Sequence, residues 1–541
     1  MSLIANRRTL LAGAGGGLIL AALPGRAFAA PSSGFTHGVA SGDPRQTSVM
    51  LWTRHVASAP VKLTVEIAED EAFRTITLTG ETEASPANDC CARARVEGLK
   101  PGRWYYYRFM TPDGATSETG RTRTLPSGET KGFRIAVVGC SNGTSGWFNA
   151  YGHLAARDDL DLVVHTGDYI YESPVTRPDA APGIAQQRGL APAGEIIALA
   201  DYRQRYASYR NDPDLAALHR RLPMIAVWDD HETANNSWAT GASAHDLATE
   251  GSWDARKAAG VQAWREWLPM GQAWYDAYQI GDLATLFRLE TQLLGRTKQL
   301  DDDLDALFAS AGDIGAKLSV FRSGPLADAG RSMMGPGQER WLADGLKASV
   351  GSAARWQILA QQVILGATVF PKATADWVNG ALPADVRSDF DRRNQLTAAG
   401  MPYSLDKWDG YPAARKRLYD SARAAGANLV TLTGDSHNAW AFDLADERGS
   451  VGVEFAGQSV SSYGLERRFT GDPKRIAADF IAANGNLKWM DTSQRGYVTL
   501  DITRDRIEAE YVFVPALGGR SAIATGRKTI SVAHGARQLD A

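Results

Sequence analysis

Over residues 35–126 the chain alternates short apolar runs with turns. Val49-Met50-Leu51-Trp52-Thr53, Val61-Lys62-Leu63-Thr64-Val65-Glu66-Ile67 and Trp104-Tyr105-Tyr106-Tyr107-Arg108-Phe109 have strand length and are rich in β-branched and aromatic residues. Gly, Pro and Asp separate them, and no helical period interrupts them. The pattern predicts a small all-β, immunoglobulin-like sandwich over 34–126, joined to the rest around residues 125–131. From Gly132 the pattern changes. Phe133-Arg134-Ile135-Ala136-Val137-Val138 is a continuous apolar run, residues 146–158 read as a helix, and Leu162-Val163-Val164 is the next strand. A helix over about 201–222, broken near Pro213, precedes the strand Met224-Ile225-Ala226-Val227-Trp228. Further strands at 356–359 and 429–432 follow, the last after a helix over about 413–425. Strands buried on both faces and alternating with helices predict an α/β catalytic domain over 132–535. The Pro/Gly/Ala-rich residues 174–194 read as a lid-like loop.

The first 29 residues stand apart. Arg7-Arg8 precedes a weakly apolar stretch that closes on Ala27-Phe28-Ala29. This is a twin-arginine signal peptide with cleavage after Ala29. It is too short and glycine-rich for a spanning helix. The twin-arginine translocase is therefore expected as a transient partner, and a periplasmic or extracellular location follows. What remains exceeds one average domain, in keeping with two. A formal net charge of −3, mixed along the chain, excludes the broad basic footprint of a nucleic-acid binder. No second apolar segment reaches membrane length. The neighbouring Cys90 and Cys91 are poorly placed to bridge each other, and Cys140 needs its own explanation.

In open α/β sheets, ligands bind beyond the carboxyl ends of the strands. Gly139-Cys140-Ser141 follows Val138, and His165-Thr166-Gly167-Asp168-Tyr169-Ile170-Tyr171 follows Val164. Asp229-Asp230-His231-Glu232 follows Trp228, with Asn235 close behind, and Thr433-Gly434-Asp435-Ser436-His437 follows Leu432. Four strands thus deliver ligands to the same edge of one expected sheet. Thiolate with phenolate suits a ferric ion, while carboxylates and an amide oxygen suit calcium. With only nine histidines, most of them outside these turns, a histidine-rich zinc centre is disfavoured. Asp168 is the natural carboxylate to bridge two metals, which would polarise a phosphoryl oxygen and activate water. Taken singly, each residue has a plainer reading. Cys140 could be a small buried hydrophobe, Tyr171 a packed aromatic, Asp230 a cap and Asn235 a turn former. Their agreement across four turns favours the metal site. His231 is read as contacting phosphate or donating a proton.

These stretches, with Gly38 to Pro44, Leu51-Trp52-Thr53-Arg54, Gln338-Glu339-Arg340-Trp341-Leu342 and Trp408-Asp409-Gly410-Tyr411-Pro412, resemble the PhoD-type alkaline phosphatases. The resemblance implies a four-layer metallophosphoesterase-like sandwich behind the β-domain, holding Fe3+ and calcium. It implies iron on Cys140, Asp168, Tyr171 and His437, with Asp168, Asp435 and Asn235 facing calcium. It also implies hydrolysis of phosphomonoesters or phosphodiesters, and phosphate scavenging from organic esters is the leading expectation. A phosphodiesterase or phospholipase D-like action on lipid or nucleotide diesters is the alternative. A surface binding protein with a structural metal is the rival from another class. One departure stands out. Leu289-Glu290-Thr291-Gln292 occupies the place where relatives usually carry Leu-Asp-Thr-Arg, and the missing arginine implies either a different phosphate clamp or a different substrate size.

Overall fold

The computed structural model describes residues 34–177, 180–380 and 384–540. The signal segment and its cleavage point at Ala29 lie outside the described residues. Two large sheets dominate. The first has nine strands and begins with three from the C-terminus, Gly526–Ala533, Arg506–Phe513 and Gly496–Thr503. Gly132–Val138, Leu162–His165 and Met224–Ala226 follow as a parallel trio. The sheet closes with Gly34–Gly42, Ser48–Val56 and Cys91–Glu97. The second has seven strands in the order Asp276–Ile280, Ala284–Arg288, Trp356–Ala360, Leu429–Thr433, Gly449–Ala456, Ala439–Asp446 and Leu487–Asp491. The four from Ala284–Arg288 to Gly449–Ala456 run parallel.

Residues of both sheets, such as Val164 and Leu500 of the first and Ile358 and Val430 of the second, share one core. The helices Asn149–Ala155, Leu199–Arg210 and Pro213–Arg221 add Tyr151, Leu154, Tyr206 and Leu218 to it. A second core lies between the seven-stranded sheet and the helices Gly335–Gly351, Pro412–Ala425 and Pro473–Ala483, through Leu346, Leu418, Phe442 and Phe480. These helices need packing rather than propensity to form. Pro412–Ala425, for example, puts Ala414, Leu418 and Ala422 on one buried stripe and ends on Gly426 in the left-handed region.

Three expectations change. The four ligand-bearing strands do not share a sheet. Three lie in the first, but Leu429–Thr433 pairs within the second, so the site sits between sheets. Apolar runs announce buried strands, but nothing in them names the neighbour. The helix expected at 146–158 spans only Asn149–Ala155, because the segment before it packs as a loop against 515–516, with Trp147 N–H donating to Ala516 O at 2.8 Å. The loop at 174–194 contains a short helix, Ile184–Gln187, and is pinned from below. The buried Arg205 guanidinium donates to the carbonyls of Tyr171, Ser173, Ala191, Pro192 and Gly194.

The N-terminal strands do build a sandwich. A four-stranded sheet of Ile76–Ala84, Val61–Ala68, Trp104–Met110 and Gly120–Arg123 covers the end of the nine-stranded one around Leu51, Val65, Tyr107 and Phe109. Its other sheet is not separate, however. Gly42 pairs in parallel register with Met224, which makes it one sheet with the catalytic strands.

Candidate metal centre

The turns after Gly132–Val138, Leu162–His165 and Leu429–Thr433 place non-glycine residues in the left-handed region: Cys140 (φ 56°), Asp168 (56°), Asp435 (57°) and His437 (62°). Each such residue costs about 1–3 kcal/mol, and such conformations cluster where function requires them. Glycines beside them let the turns close. A Cβ on Gly139 or on Gly434 would lie 2.5 Å from Thr166 Oγ1, so all three turns pack on one threonine.

The donors then converge. Ligand atoms of Cys140, Asp168 and His437 lie within 4.8 Å of one another, and so do those of Asp168, Asp230 and His231. Asp168 belongs to both groups. Its Oδ2 accepts from the Tyr171 hydroxyl at 2.7 Å, while its buried Oδ1 has no partner among the described residues. The Tyr171 oxygen also stands 3.3 Å from His437 Nε2 and 2.7 Å from Ser462 Oγ. His437 donates from Nδ1 to Tyr463 O at 2.7 Å, which leaves Nε2 to face the centre as a ligand.

The third turn is organised by two buried carboxylates. Glu232 accepts the backbone N–H groups of Asp168, Tyr169 and Asp229 at 3.2, 2.5 and 2.7 Å, tying two turns together. Glu172 accepts from Asn235 N–H and stands 2.5 Å from His231 Nδ1, while the imidazole lies on the Tyr171 ring with centroids 4.1 Å apart. Asp230 accepts the N–H groups of His231 and Asn236 at 2.8 and 2.5 Å. It therefore shapes the turn as well as offering oxygens to the centre. Asn235 donates its amide to Asn236 Oδ1 at 3.1 Å, and its own Oδ1 accepts no hydrogen bond among the described residues.

Electrostatically the group is unfinished. Burial, then Asp168, Asp229 and Asp435, push the Cys140 thiol up. Burial and neighbouring carboxylates push Asp229 and Asp230 well up and Asp435 up to about 6. Burial opposes charge on His231, but Glu172, Asp168 and Asp230 outweigh it and hold the imidazole proton firmly. This many buried anions repel one another at a cost that bound cations would remove. The partnerless oxygens Asp168 Oδ1 and Asp229 Oδ2 mark where a cation would fit. With cations neutralising Asp168 and Asp230, Glu172 would remain the partner that keeps His231 protonated.

All the residues singled out from sequence lie at these turns. Glu172, Glu232 and Ser462 did not stand out individually, and Gln292 stood out only as a departure from the resemblance. Gln292 donates to Asp229 Oδ1 and accepts from Arg296, which also binds Asp406. The place of the absent arginine is thus filled by a neutral amide inside a buried chain of partners.

Comparisons with known proteins point to one family. A family model described as PhoD-like phosphatase matches residues 135–511, and one described as PhoD-like phosphatase, N-terminal domain, matches residues 21–126. Alkaline phosphatase D of Bacillus subtilis (strain 168) is 33% identical over 510 residues, spanning 89% of this chain and 78% of that protein. A solved structure described as the structure of PhoD superposes with a TM-score of 0.75 at 29% identity, covering 94% of this chain and 92% of that one.

Proposed function

The chain belongs to the PhoD-like phosphatase family, and from that premise we propose how its residues carry out phosphoric ester hydrolysis. It is a phosphoric ester hydrolase of the alkaline phosphatase type. In our reading Cys140, Asp168, Tyr171 and His437 hold Fe3+, and Asp168, Asp435 and Asn235 hold calcium, with Asp230 beside them. Bound there, the two ions would supply Lewis acidity for the phosphoryl group and an activated water. The protein's own part is orientation and proton supply. Ser462 and Asp168 fix the Tyr171 oxygen, Tyr463 O fixes His437, and Glu172 fixes His231. His231, its Nδ1 committed to Glu172, presents its other nitrogen to protonate or shield the departing alkoxide. The observation that carries this reading is the pair of donor groups sharing Asp168.

The four-layer order, helix on sheet on sheet on helix, is supported by the two cores on either face of the seven-stranded sheet. Phosphate scavenging from monoesters, in the periplasm or outside the cell, is the physiological role we favour. Export through the twin-arginine translocase rests on Arg7 and Arg8. A diester reading has one observation in its favour. A cavity of about 330 Å³, with Phe513, Val514 and Leu517 on one part of its wall and the Glu466–Arg495 pair on another, is also lined by Tyr463, whose carbonyl holds His437, and has room for an organic substituent.

The deciding experiment purifies the protein from its host and measures metal content, visible absorption and hydrolysis of monoesters and diesters on one sample. Bound iron with a thiolate/phenolate-to-iron absorption band, abolished in Cys140→Ser, is expected. A colourless, fully active zinc protein would overturn the ligand assignment.

A further inference from the structure

Beside the centre lies a second cavity of about 260 Å³, bounded by Asn236, Arg393, Asp406, Lys407, Asp435 and Ser436. Its charges are mostly paired. Arg393 Nε donates to Asp389 at 2.8 Å, and Asp406 accepts from Arg296 and, at 2.8 Å, from Gln299 Nε2. Arg392 is taken up by Asp305. Asp301, also on the wall, is an acid that burial pushes up to about 6.

Lys407 is different. The residue is only 7% exposed, yet its ammonium makes no hydrogen bond or ion pair among the described residues. Its contacts are two aromatic faces, with Nζ 5.1 Å from the Tyr403 ring centroid and 5.6 Å from that of Trp440. Those rings guide the stem and leave three donors unused. The ammonium opens onto the cavity, where its charge acts on the Asp435 and Glu454 carboxyl groups without bonding to either, so its donors stay available to an anion that enters from outside. Trp440 Nε1 donates to Ser436 Oγ at 2.7 Å, which places the lysine beside the turn that carries Asp435 and His437. Asp406, the residue before it, is held by Arg296 and Gln299, so the lysine's backbone is anchored to the buried chain that runs through Gln292 to Asp229. The strand end at 289–292 offers no cation of its own, since Arg296 is consumed by Gln292, Asp406 and Tyr411.

We propose that Lys407 receives an anionic phosphoryl oxygen of the substrate in this cavity, supplying the positive charge that Gln292 does not. The proposal rests on the phosphate-ester reading above. It makes Lys407 a recognition residue whose effect falls on binding of substrate and of the inorganic phosphate released.

The test compares wild type with Lys407→Met, which keeps the apolar stem on the two rings, and with Lys407→Arg, which keeps the charge. A third variant, Lys407→Gln, serves if the methionine form is unstable. For each, KM and kcat are measured on one monoester, together with Ki for inorganic phosphate and Tm. Lys407→Met should raise both KM and Ki about 10–100-fold, as expected for one charge-assisted hydrogen bond to phosphate, with a much smaller change in kcat. Lys407→Arg should recover most of the loss. A Ki within twofold of wild type in the folded neutral variants would overturn the assignment. So would equal losses in kcat and Tm with Ki unmoved, the pattern of a structural cation. Failure of the wild type to hydrolyse any phosphate ester would instead remove the phosphatase reading itself.

Discussion

Two side chains carry the sharpest claim at the scale of residues. His231 touches Glu172 at 2.5 Å, lies on the Tyr171 ring and belongs to a donor group with Asp168 and Asp230. With Nδ1 engaged by Glu172, the imidazole is aimed as a proton donor rather than left to rotate. His231→Ala should keep the fold and the metals and lower turnover by about 10²–10³ on esters with poor leaving groups. On an activated aryl ester, which leaves without a proton, the loss should be much smaller. Equal losses on both esters would assign the histidine to phosphate charge alone, and loss of metal would make it a ligand. Glu172→Gln keeps a hydrogen-bonding partner but no charge, so about 10-fold of the same selective loss is expected. The donors themselves were legible because each follows an apolar strand directly. Their supporting residues were not. Tyr171 and Ser462 are 291 positions apart, and no local pattern announces such a contact.

At the scale of elements, two buried groups hold segments together and respond differently to change. Glu454, inside the strand Gly449–Ala456, accepts the backbone N–H groups of Leu365 and Gly366 at 2.9 and 2.7 Å and the hydroxyl of Thr433 at 2.8 Å. Burial nevertheless pushes its carboxyl up to about 7. The folded state therefore binds this proton more tightly than the unfolded one. Its contribution is fully present below the unfolded value near 4.5 and is lost as pH rises through about 7. Tm should accordingly fall between about pH 4.5 and pH 7, and the fall should be shallower in Glu454→Gln, whatever that variant's absolute stability. An identical slope in both would show that other groups set the pH dependence. Arg205 fastens the loop at 174–194 through five carbonyls, those of Tyr171 and Ser173 just before it and of Ala191, Pro192 and Gly194 at its end, so Arg205→Met should destabilise the protein by about 2–4 kcal/mol. Limited proteolysis should then cut within that loop, and resistance equal to wild type would show that the loop is held from elsewhere. The loop reads as a lid in the sequence because its composition is that of a free segment. The guanidinium that fixes it belongs to a helix with no apolar stripe to advertise its inward face.

The whole molecule joins two family-model segments through one continuous sheet, and that joint decides how it unfolds. Alternation over 34–126 correctly announces strands, but strand periodicity cannot say that three of them extend the catalytic sheet. The seam is close-packed and polar. Asp43 N–H donates to Met224 O at 3.0 Å, the Tyr278 hydroxyl donates to Asp43 Oδ1 at 2.7 Å, and Trp52 Nε1 donates to Glu266 O at 2.8 Å. Gly42 is where the backbones meet, since a Cβ there would lie 2.6 Å from Pro269 O and 2.7 Å from Met224 O. Its φ lies outside the left-handed region that favours glycine, so the obstacle to a side chain is contact with backbone that cannot swing aside. Gly42→Val should therefore cost at least about 3 kcal/mol in urea unfolding. Activity should fall with stability, because Met224–Ala226 runs directly toward the turn that carries Asp230 and His231. Wild type should unfold in a single transition by tryptophan fluorescence and by loss of activity, as expected when one sheet spans both parts. Two separated transitions, or a Gly42→Val protein as stable as wild type, would make the N-terminal sandwich an independent unit that merely leans on the enzyme.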